Sequence, residues 1–270
     1  MTQNLILSAA IGYNFHQIEF FIKSLRKHYN EKICFIIGYK DKDLEYGLKK
    51  YNCDIIKTKI NKKTIQFRRY EIFSNYIENK SFKNILLCDS RDIYFQGNPF
   101  KFNYNGSINF FLEDHLIKDC PYNSNWIIKT YGKKEFDNIS SKIILCSGTV
   151  LGNNFKIKEY LNLMENYISK FKYKKRLKYF LTFRTDPEGR GCDQGHANYI
   201  VHNELIKEVK FHSNSIGPFA TVFYLKNIRF NKNSMLVNEN EDPYLLVHQY
   251  DKRYDEFIKH IDKVKKNLYL

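Results

Sequence analysis

Short apolar runs alternate with helical patterns through the first half of the chain, and this alternation constrains the fold more than any other sequence feature. The runs have the length and composition of buried strands, and the segments between them repeat their apolar residues at helical spacing. The predicted strands are Asn4–Ile11, Lys32–Tyr39, Cys53–Ile60 and Asn84–Cys88, and the predicted helices are Phe15–His28, Asp41–Tyr51 and Gln66–Glu78. Such alternation builds right-handed βαβ units. We therefore predict an α/β fold with a mainly parallel central sheet and helices on both faces.

The second half of the chain is less regular but has no composition break, repeat or low-complexity linker. Its predicted strands are Ser107–Leu112, Lys142–Leu151, Thr221–Leu225 and Tyr244–Val247, and its predicted helices are Asn125–Phe136, Ile157–Phe171, Gln194–Asn203 and a basic helix at the C-terminus. A Gly-rich turn is predicted over Gly189–Asp193. A single domain over residues 1–270 fits this organisation best.

The charge is strongly basic, with 44 Lys and Arg against 29 Asp and Glu, a net charge of +15. Many of the lysines match the general bias of an AT-rich genome, but Lys170–Arg184 is a basic run without an acidic residue and with interleaved aromatics. Three interpretations stay open for this segment: a solvated face, contact with an anionic membrane surface, and a single-strand nucleic-acid platform. The segment matches no common nucleic-acid-binding pattern, so no nucleic acid is expected.

Other composition features exclude further classes of protein. An aromatic content of 16% excludes intrinsic disorder, and no run approaches the roughly 20 apolar residues of a membrane span. The start of the chain lacks a basic region and a cleavage site, so no secretory signal is expected. None of the six cysteines forms a C-x-x-C pair, which predicts free thiols in a reducing cytosol rather than a zinc or redox site.

Two carboxylates follow the most hydrophobic strand, in the segment Asp89-Ser90-Arg91-Asp92. Ligands of parallel sheets bind at the carboxyl ends of the strands, so this segment and Gly12-Tyr13 are expected near one crevice. Paired hard oxygen ligands suit Mg²⁺ or Mn²⁺, which also bridge to phosphate oxygens. An aspartate at a strand end can instead cap the next helix, but two in one turn favour a metal site.

The segment Asp89–Phe100, DSRDIYFQGNPF, resembles the DxD-type motif of nucleotide-sugar-dependent glycosyltransferases with the GT-A fold, which is Rossmann-like. Its spacing is D-x-x-D in place of D-x-D. Three further landmarks follow in the order that such enzymes show, and the resemblance covers roughly residues 4–253. They are Cys146-Ser147-Gly148-Thr149, Asp193-Gln194-Gly195 before a helix containing Asn198, and Val247-His248-Gln249-Tyr250-Asp251.

The resemblance implies a nucleotide-binding half over residues 1–103 and an acceptor half over residues 104–270. It implies Mn²⁺ or Mg²⁺ as cofactor, with Asp89, Asp92 and His248 as ligands. The implied donor is a nucleoside-diphosphate sugar, most simply a UDP-sugar, and the implied acceptor is a glycan or lipid-linked glycan. The residues implied to contact the nucleotide or the donor are Ala10, Ile11, Tyr13, Arg68, Arg69, Asp89, Ser90, Arg91, Ser147 and Gly148.

For the transfer itself, the resemblance implies that Asp193 and Gln194 contact the donor sugar and that the anomeric configuration is retained. An inverting enzyme would instead need a general base, for which Asp193, Asp114 or Glu113 could serve. Two other functions stay open: a sugar-nucleotidyltransferase, and a basic nucleic-acid-binding protein that uses Lys170–Arg184. The expected location is cytoplasmic, with peripheral contact to a membrane as a further expectation.

Overall fold

The computed structural model describes residues 3–60, 64–104, 107–182 and 192–269. The strands are β1 Leu5–Ala9, β2 Lys32–Gly38, β3 Asp54–Thr58, β4 Asn84–Cys88, β5 Ile93–Phe95, β6 Ile108–Leu116, β7 Ile143–Asn153, β8 Val209–His212, β9 Phe219–Thr221, β10 Arg229–Phe230, β11 Leu236–Val237 and β12 Leu246–His248. The α-helices are α1 Phe15–Arg26, α2 Lys42–Lys50, α3 Ile65–Ile77, α4 Pro121–Tyr131, α5 Lys133–Ile139, α6 Asn154–Thr182, α7 Asp193–His202 and α8 Tyr254–Tyr269.

The central sheet has seven strands in the order β3-β2-β1-β4-β7-β6-β8. Every neighbouring pair is parallel except the two that involve β7, which runs antiparallel to β4 and to β6. Strands from both halves of the chain are therefore hydrogen-bonded in one sheet. The predicted α/β class with a mainly parallel sheet is confirmed.

Helices cover both faces of this sheet. Successive residues of a strand point to opposite sides, so each strand contributes side chains to both helical layers. Leu5 and Leu7 of β1 pack in one core cluster with apolar residues of α3, α6 and α7. Ile6, between them, packs in a second cluster with residues of α1 and α2. The runs that predicted β1, β2 and β4 are buried because these strands are covered on both sides, whereas β3 at the edge of the sheet is half-buried.

A smaller sheet, in the order β5-β12-β9, lies beside the central one. Strand β12 is antiparallel to β5 and parallel to β9. Phe257 and Ile261 of α8 pack in one core cluster with Tyr94 of β5 and Val247 of β12. It carries the C-terminal part of the chain back to the segment that follows β4.

Four predicted elements differ from the observed ones, and the first is the helix predicted over Ile157–Phe171, which is observed as the longer α6 over Asn154–Thr182. The predicted helix Asn125–Phe136 is two helices, α4 and α5, because Gly132 ends α4 with a φ of 96°. The predicted strand Thr221–Leu225 is wrong: β9 ends at Thr221 and a 3₁₀ helix occupies Val222–Tyr224. The predicted strand Tyr244–Val247 is observed as β12, shifted towards His248.

The basic segment Lys170–Arg184 forms the end of α6 as far as Thr182. Its side chains from Phe171 onward, and the residues Phe183 and Arg184, lie outside the described part of the chain. The same is true of Gly189, Arg190 and Gly191 in the predicted Gly-rich turn.

Among the described residues, no helix combines the length and the apolar character that crossing a membrane requires.

Candidate metal and nucleotide site

The ends of β1 and β4 form a topological switch point of the central sheet, which we call the switch-point crevice. Strand β1 lies between β2 and β4, so the connections that leave the ends of β1 and β4 lead to different parts of the sheet. Two buried serine hydroxyls hold these strand ends together: Ser8 Oγ donates to Cys88 O at 2.8 Å, and Ser90 Oγ donates to Ala9 O at 2.9 Å. Open α/β sheets bind their ligands at such a switch point.

Asp89, Asp92 and His248 meet in this crevice, and we call them the carboxylate–histidine cluster. One ligand atom from each lies within 4.8 Å of the other two. His248 Nε2 is 3.6 Å from Asp89 Oδ2 and 3.8 Å from Asp92 Oδ1. Residues at distant positions of the chain therefore present two oxygens and one nitrogen to the same point.

The pairing of β12 explains how a residue near the C-terminus reaches this point. His248 lies opposite Ile93 of β5, directly after Asp92, and beside Thr221 of β9. The Gln249 N–H then donates to Asp92 O at 2.8 Å. The small sheet thus holds the imidazole beside the Asp89–Asp92 turn.

Gly148 of β7 provides the space in which the cluster meets. A Cβ at this position would lie 2.6 Å from His248 Cε1 and 2.9 Å from Asp89 Oδ2. Separations below 3 Å are not tolerated by packed atoms, so any side chain here would displace the imidazole or the carboxylate. The three side chains of the cluster can approach one another only because residue 148 is glycine.

The cluster has the donors and the spacing of a divalent-metal site. With metal–oxygen bonds of about 2.1 Å, two ligands of one ion are about 3 Å apart at right angles and about 4.2 Å apart when opposite. Both distances from His248 Nε2 fall within that interval. This nitrogen is buried and has no hydrogen-bond partner in the described part of the chain, an arrangement that metal ligation would satisfy.

The charges around the crevice also fit a divalent cation. Four carboxylates share two guanidinium groups, so these side chains sum to a net charge of −2 when His248 is neutral. The residues concerned are Asp89, Asp92, Asp193 and Asp251, with Arg69 and Arg91. Burial raises the pKa of Asp92, and the Asp89 and Asp251 carboxylates raise it further against the opposing effect of His248. A bound cation would offset this cost of placing carboxylates together.

Arg69 of α3 bridges two of the carboxylates. Its guanidinium lies 2.6 Å from Asp89 Oδ1 and 2.7 Å from Asp193 Oδ2. The Tyr70 hydroxyl donates to the same Asp193 oxygen at 2.9 Å. Burial opposes the ionisation of Asp89, but Arg69 and His248 outweigh it and hold the pKa of this carboxyl below its usual range. Asp89 is therefore fixed on one oxygen by Arg69 and presents the other to His248.

Asp193, predicted to contact the donor sugar, is the first residue of α7 and is only 4% exposed. Its carboxylate is engaged by Arg69 and Tyr70, so its direct role in the structure is to hold Arg69. Gln194, the next residue, is half-buried and accepts a hydrogen bond from the Ser147 N–H at 3.4 Å. Of the predicted pair, Gln194 is the more open to the crevice.

The predicted nucleotide residues are placed unequally around the crevice. Ala10 and Ile11 are buried in the core, whereas Tyr13 is half-buried at the end of β1. Arg68 pairs with Glu71 on the surface of α3, so of the two adjacent arginines Arg69 alone reaches the cluster. The remaining members are near it: Ser147 and Gly148 on β7, and Ser90 and Arg91 in the turn.

Arg91 lies between two carboxylates, 2.6 Å from Asp251 and 3.7 Å from Asp92. Burial opposes the charge of Arg91, but Asp251 and Asp92 outweigh burial and raise the pKa of its guanidinium. A half-buried guanidinium beside a candidate metal site is suited to an anionic oxygen.

Sequence reasoning assigned no site role to Tyr70, Cys146 or Asp251, although it named Cys146 and Asp251 within two of the landmark motifs. Tyr70 carries no local pattern that separates it from an ordinary polar residue. A role for Cys146 was detectable, because residues two apart on a strand share a face and Gly148 faces His248. The Cys146 Sγ to His248 Nδ1 distance is 3.2 Å.

Glu113 of β6 interacts with both Cys146 and His248. Its side chain is fully buried, and burial raises its pKa to about 7, with His248 and hydrogen bonds to Cys146 and Gln194 acting in the opposite direction. Near neutral pH a large share of this carboxyl is protonated and can donate a hydrogen bond. Glu113 therefore extends the hydrogen-bonded layer that supports His248.

We predict that Cys146→Ala weakens Mn²⁺ binding about 10- to 100-fold, the usual effect of removing a group that orients a metal-binding histidine. For Nε2 to bind a metal, Nδ1 must carry the proton, and Cys146 Sγ accepts it. Free Mn²⁺ measured by electron paramagnetic resonance gives the affinity directly. Cys34→Ala is the matched control, since Cys34 is equally buried but lies on β2. Equal Mn²⁺ affinity in both variants would contradict the prediction.

The fold and the site together define an α/β protein with a carboxylate–histidine cluster at the switch point of its sheet. Comparison of the chain with models of known protein families gives no match, and comparison with curated proteins gives none either.

Proposed function

We propose that the chain is a metal-dependent glycosyltransferase of the GT-A type, which moves a sugar from a nucleoside-diphosphate sugar to a hydroxyl of a glycan. One observation carries the proposal: the orphaned Nε2 of His248 converges with Asp89 and Asp92 at the switch-point crevice. Carboxylate and imidazole ligands at such a crevice suit a divalent ion that bridges to a diphosphate.

In the proposed reaction, the anomeric C–O bond to the β-phosphate breaks and the nucleoside diphosphate leaves with the electron pair. The acceptor oxygen forms the new bond to the anomeric carbon, and its proton passes to the departing phosphate oxygen. When bound, the metal supplies Lewis acidity that stabilises the charge developing on the diphosphate. Asp89, Asp92 and His248 would hold it, and a histidine ligand favours Mn²⁺ over Mg²⁺.

The chain's own cations and hydroxyls have separate roles in this proposal. Arg91 binds an oxygen of the diphosphate, and Tyr13 stacks on the base, most simply the uracil of a UDP-sugar. Arg69 does not need to touch the donor. It fixes Asp89 and is itself held by Asp193.

Retention of the anomeric configuration is part of the proposal. An inverting reaction needs a carboxylate that is open to the acceptor hydroxyl. Asp193 is engaged by Arg69 and Tyr70, and Glu113 is buried, so neither is open to act as that base, which supports retention. Asp114, whose Oδ1 accepts the Asn214 N–H, is the one remaining candidate base that inversion would need. Gln194 is then the residue best placed to contact the donor sugar, with Asp193 acting through Arg69.

A cytoplasmic location, with peripheral contact to an anionic membrane that carries a lipid-linked acceptor, is proposed as well. The six cysteines are free and buried, which supports a reducing compartment.

Thermal unfolding with UDP or GDP, each with and without Mn²⁺, tests the proposal. A ligand at about 100 times its Kd raises the midpoint of a chain this size by about 5 °C or more. We expect such a rise for one nucleotide, and only when Mn²⁺ is present. Metal-dependent release of nucleoside diphosphate from UDP- or GDP-sugars should accompany it.

Asp92→Asn provides the control, because it keeps the size of the side chain and removes one charged ligand. We expect it to unfold near the wild-type temperature without ligands and to lose the Mn²⁺-dependent rise. The absence of a shift with every nucleotide, or an unchanged shift in Asp92→Asn, would overturn the proposal.

A further inference from the structure

A concavity lined by residues other than those of the carboxylate–histidine cluster lies in the part of the chain after residue 113. It is a cavity of about 460 Å³ at the end of β6, and we call it the polar groove. Six polar residues line it together with apolar ones: Asp114, His115, Ser215, Lys226, Asn227 and Glu239. Its volume lies within the range of about 300–1,000 Å³ that is typical of small-molecule sites.

The charge of the polar groove excludes a strongly anionic occupant. Two carboxylates, Asp114 and Glu239, face a single ammonium, that of Lys226. A phosphate or sulfate group would meet net repulsion here, whereas hydroxyl or ammonium donors would find acceptors. The ligand that this lining fits is neutral or carries an amine.

The geometry of the polar side chains favours a ligand with several hydroxyl groups. Asn227 Nδ2 donates to Glu239 Oε1 at 3.2 Å, which fixes two planar groups side by side on one wall. Planar carboxylates and amides offer two polar atoms each, as neighbouring hydroxyls of a pyranose require. The His115 ring stacks on Tyr224 with centroids 4.2 Å apart, which adds a flat, rigid surface to the same groove.

Asp114 is held in an uncommon conformation. Its φ is 53°, in the left-handed region that residues other than glycine rarely adopt. Asn214 N–H donates to Asp114 Oδ1 at 3.2 Å and keeps the carboxylate in place. Such local strain persists where the surrounding structure imposes it, and it is concentrated at ligand sites.

The polar groove is connected to the carboxylate–histidine cluster by direct contacts. Asn214, which binds Asp114, also bonds with its side chain to the backbone N–H and C=O of Thr221 at 2.8 and 2.9 Å. Thr221 is the strand neighbour of His248. On β6, Asp114 follows Glu113, whose side chain contacts Cys146 and Gln194. The groove is therefore linked through Asn214 and Thr221 to the strand that carries His248.

We propose that the polar groove binds the acceptor, through a neutral or amino-bearing pyranose ring whose hydroxyls bond to Asp114 and to the Asn227–Glu239 pair. This proposal rests on the proposed function for the identity of the reaction, but the groove can be tested without catalysis. A phosphorylated or otherwise anionic sugar is excluded from it. In a lipid-linked acceptor, the sugar occupies the groove and the diphosphate lies outside it.

Saturation-transfer NMR with a defined set of sugars tests the groove. The neutral and amino probes are methyl β-D-galactopyranoside, methyl α-D-mannopyranoside, N-acetyl-D-glucosamine and D-glucosamine, and the anionic probe is D-glucose 6-phosphate. We expect at least one neutral or amino probe to bind and the anionic one not to bind. Asp114→Asn combined with Glu239→Ala should raise the Kd of the bound probe about ten-fold or more, since it removes several hydrogen bonds.

Glu241→Ala is the matched control, because Glu241 lies two residues from Glu239, is exposed, and pairs with Arg229 outside the groove lining. It should leave the Kd unchanged. Binding of none of the neutral or amino sugars, or equal Kd values in the double variant and the wild type, would overturn the proposal. The Mn²⁺-dependent nucleotide shift, measured on the same samples, separates the two failures: a retained shift without sugar binding refutes the groove alone.

Discussion

Gly148→Ala is expected to raise the Kd for Mn²⁺ by about 100-fold or more, because the added methyl group occupies the space in which the carboxylate–histidine cluster meets. The new Cβ would lie 2.6 Å from His248 Cε1 and 3.0 Å from His248 Nε2. The backbone of β7 cannot move away, since Asp89 N–H donates to Gly148 O at 3.0 Å and Cys88 pairs with Thr149. The imidazole or the Asp89 carboxylate must therefore turn out of position.

The readout for Gly148→Ala is Mn²⁺ affinity by electron paramagnetic resonance, with the ¹H–¹³C signal of His248 Cε1 as a second measurement without metal. Gly152→Ala is the matched control on the same strand, where the nearest atom to the added Cβ is 3.4 Å away. We expect Gly152→Ala to bind Mn²⁺ like the wild type. Wild-type affinity in Gly148→Ala would show that the cluster does not hold the metal.

Arg69→Met is expected to destabilise the fold by about 3–5 kcal/mol, the usual cost of removing one partner of a buried ion pair. Arg69 is the cation that faces both Asp89 and Asp193, and Asp193 is 4% exposed. Without the guanidinium, the Asp193 carboxylate keeps only the Tyr70 hydroxyl among its described partners. The buried Asp193 carboxylate then either stays charged, which lowers the free energy of unfolding, or takes up a proton.

Urea unfolding of Arg69→Met, Arg68→Met and the double variant Arg69→Met/Asp193→Asn measures this effect. Arg68 is the adjacent residue on α3 but pairs with Glu71 at the surface, so its loss should cost about 1 kcal/mol or less. The double variant should recover much of the loss, because no unpaired charge is left at Asp193. Equal destabilisation by the Arg68 and Arg69 substitutions would contradict the prediction.

The first half of the fold could be predicted from sequence because three of its strands, β1, β2 and β4, are buried on both faces. Asn84–Cys88 was predicted with the observed limits, since every residue of β4 is buried and the polar turn begins at once. The chain after β4 contains elements too short for a periodic pattern to form, such as β5, β9 and β12 with three residues each. The break between α4 and α5 had a visible signal in Gly132, which the helical spacing across Asn125–Phe136 concealed.

The parts of the site that come directly after a strand were predictable from the sequence. The Asp89–Asp92 turn and the residues after β1 are where parallel topology places them. The contact of His248 with this turn depends on pairing between strands from distant parts of the chain, which no local pattern encodes. For Asp193, its position at the start of α7 was predictable, but its burial against Arg69 and Tyr70 was not, because burial depends on how α7 packs against α3.

The small sheet has a consequence for how the chain acquires its site. Asp89 and Asp92 come from the N-terminal half, whereas His248 lies on β12, which is held in place by its pairing with β5 and β9. An ion held by all three residues would act as a cross-link that closes a long loop and slows its opening. Metal affinity would then report on completed folding, since a chain that lacks its last elements would carry the two aspartates without their third ligand.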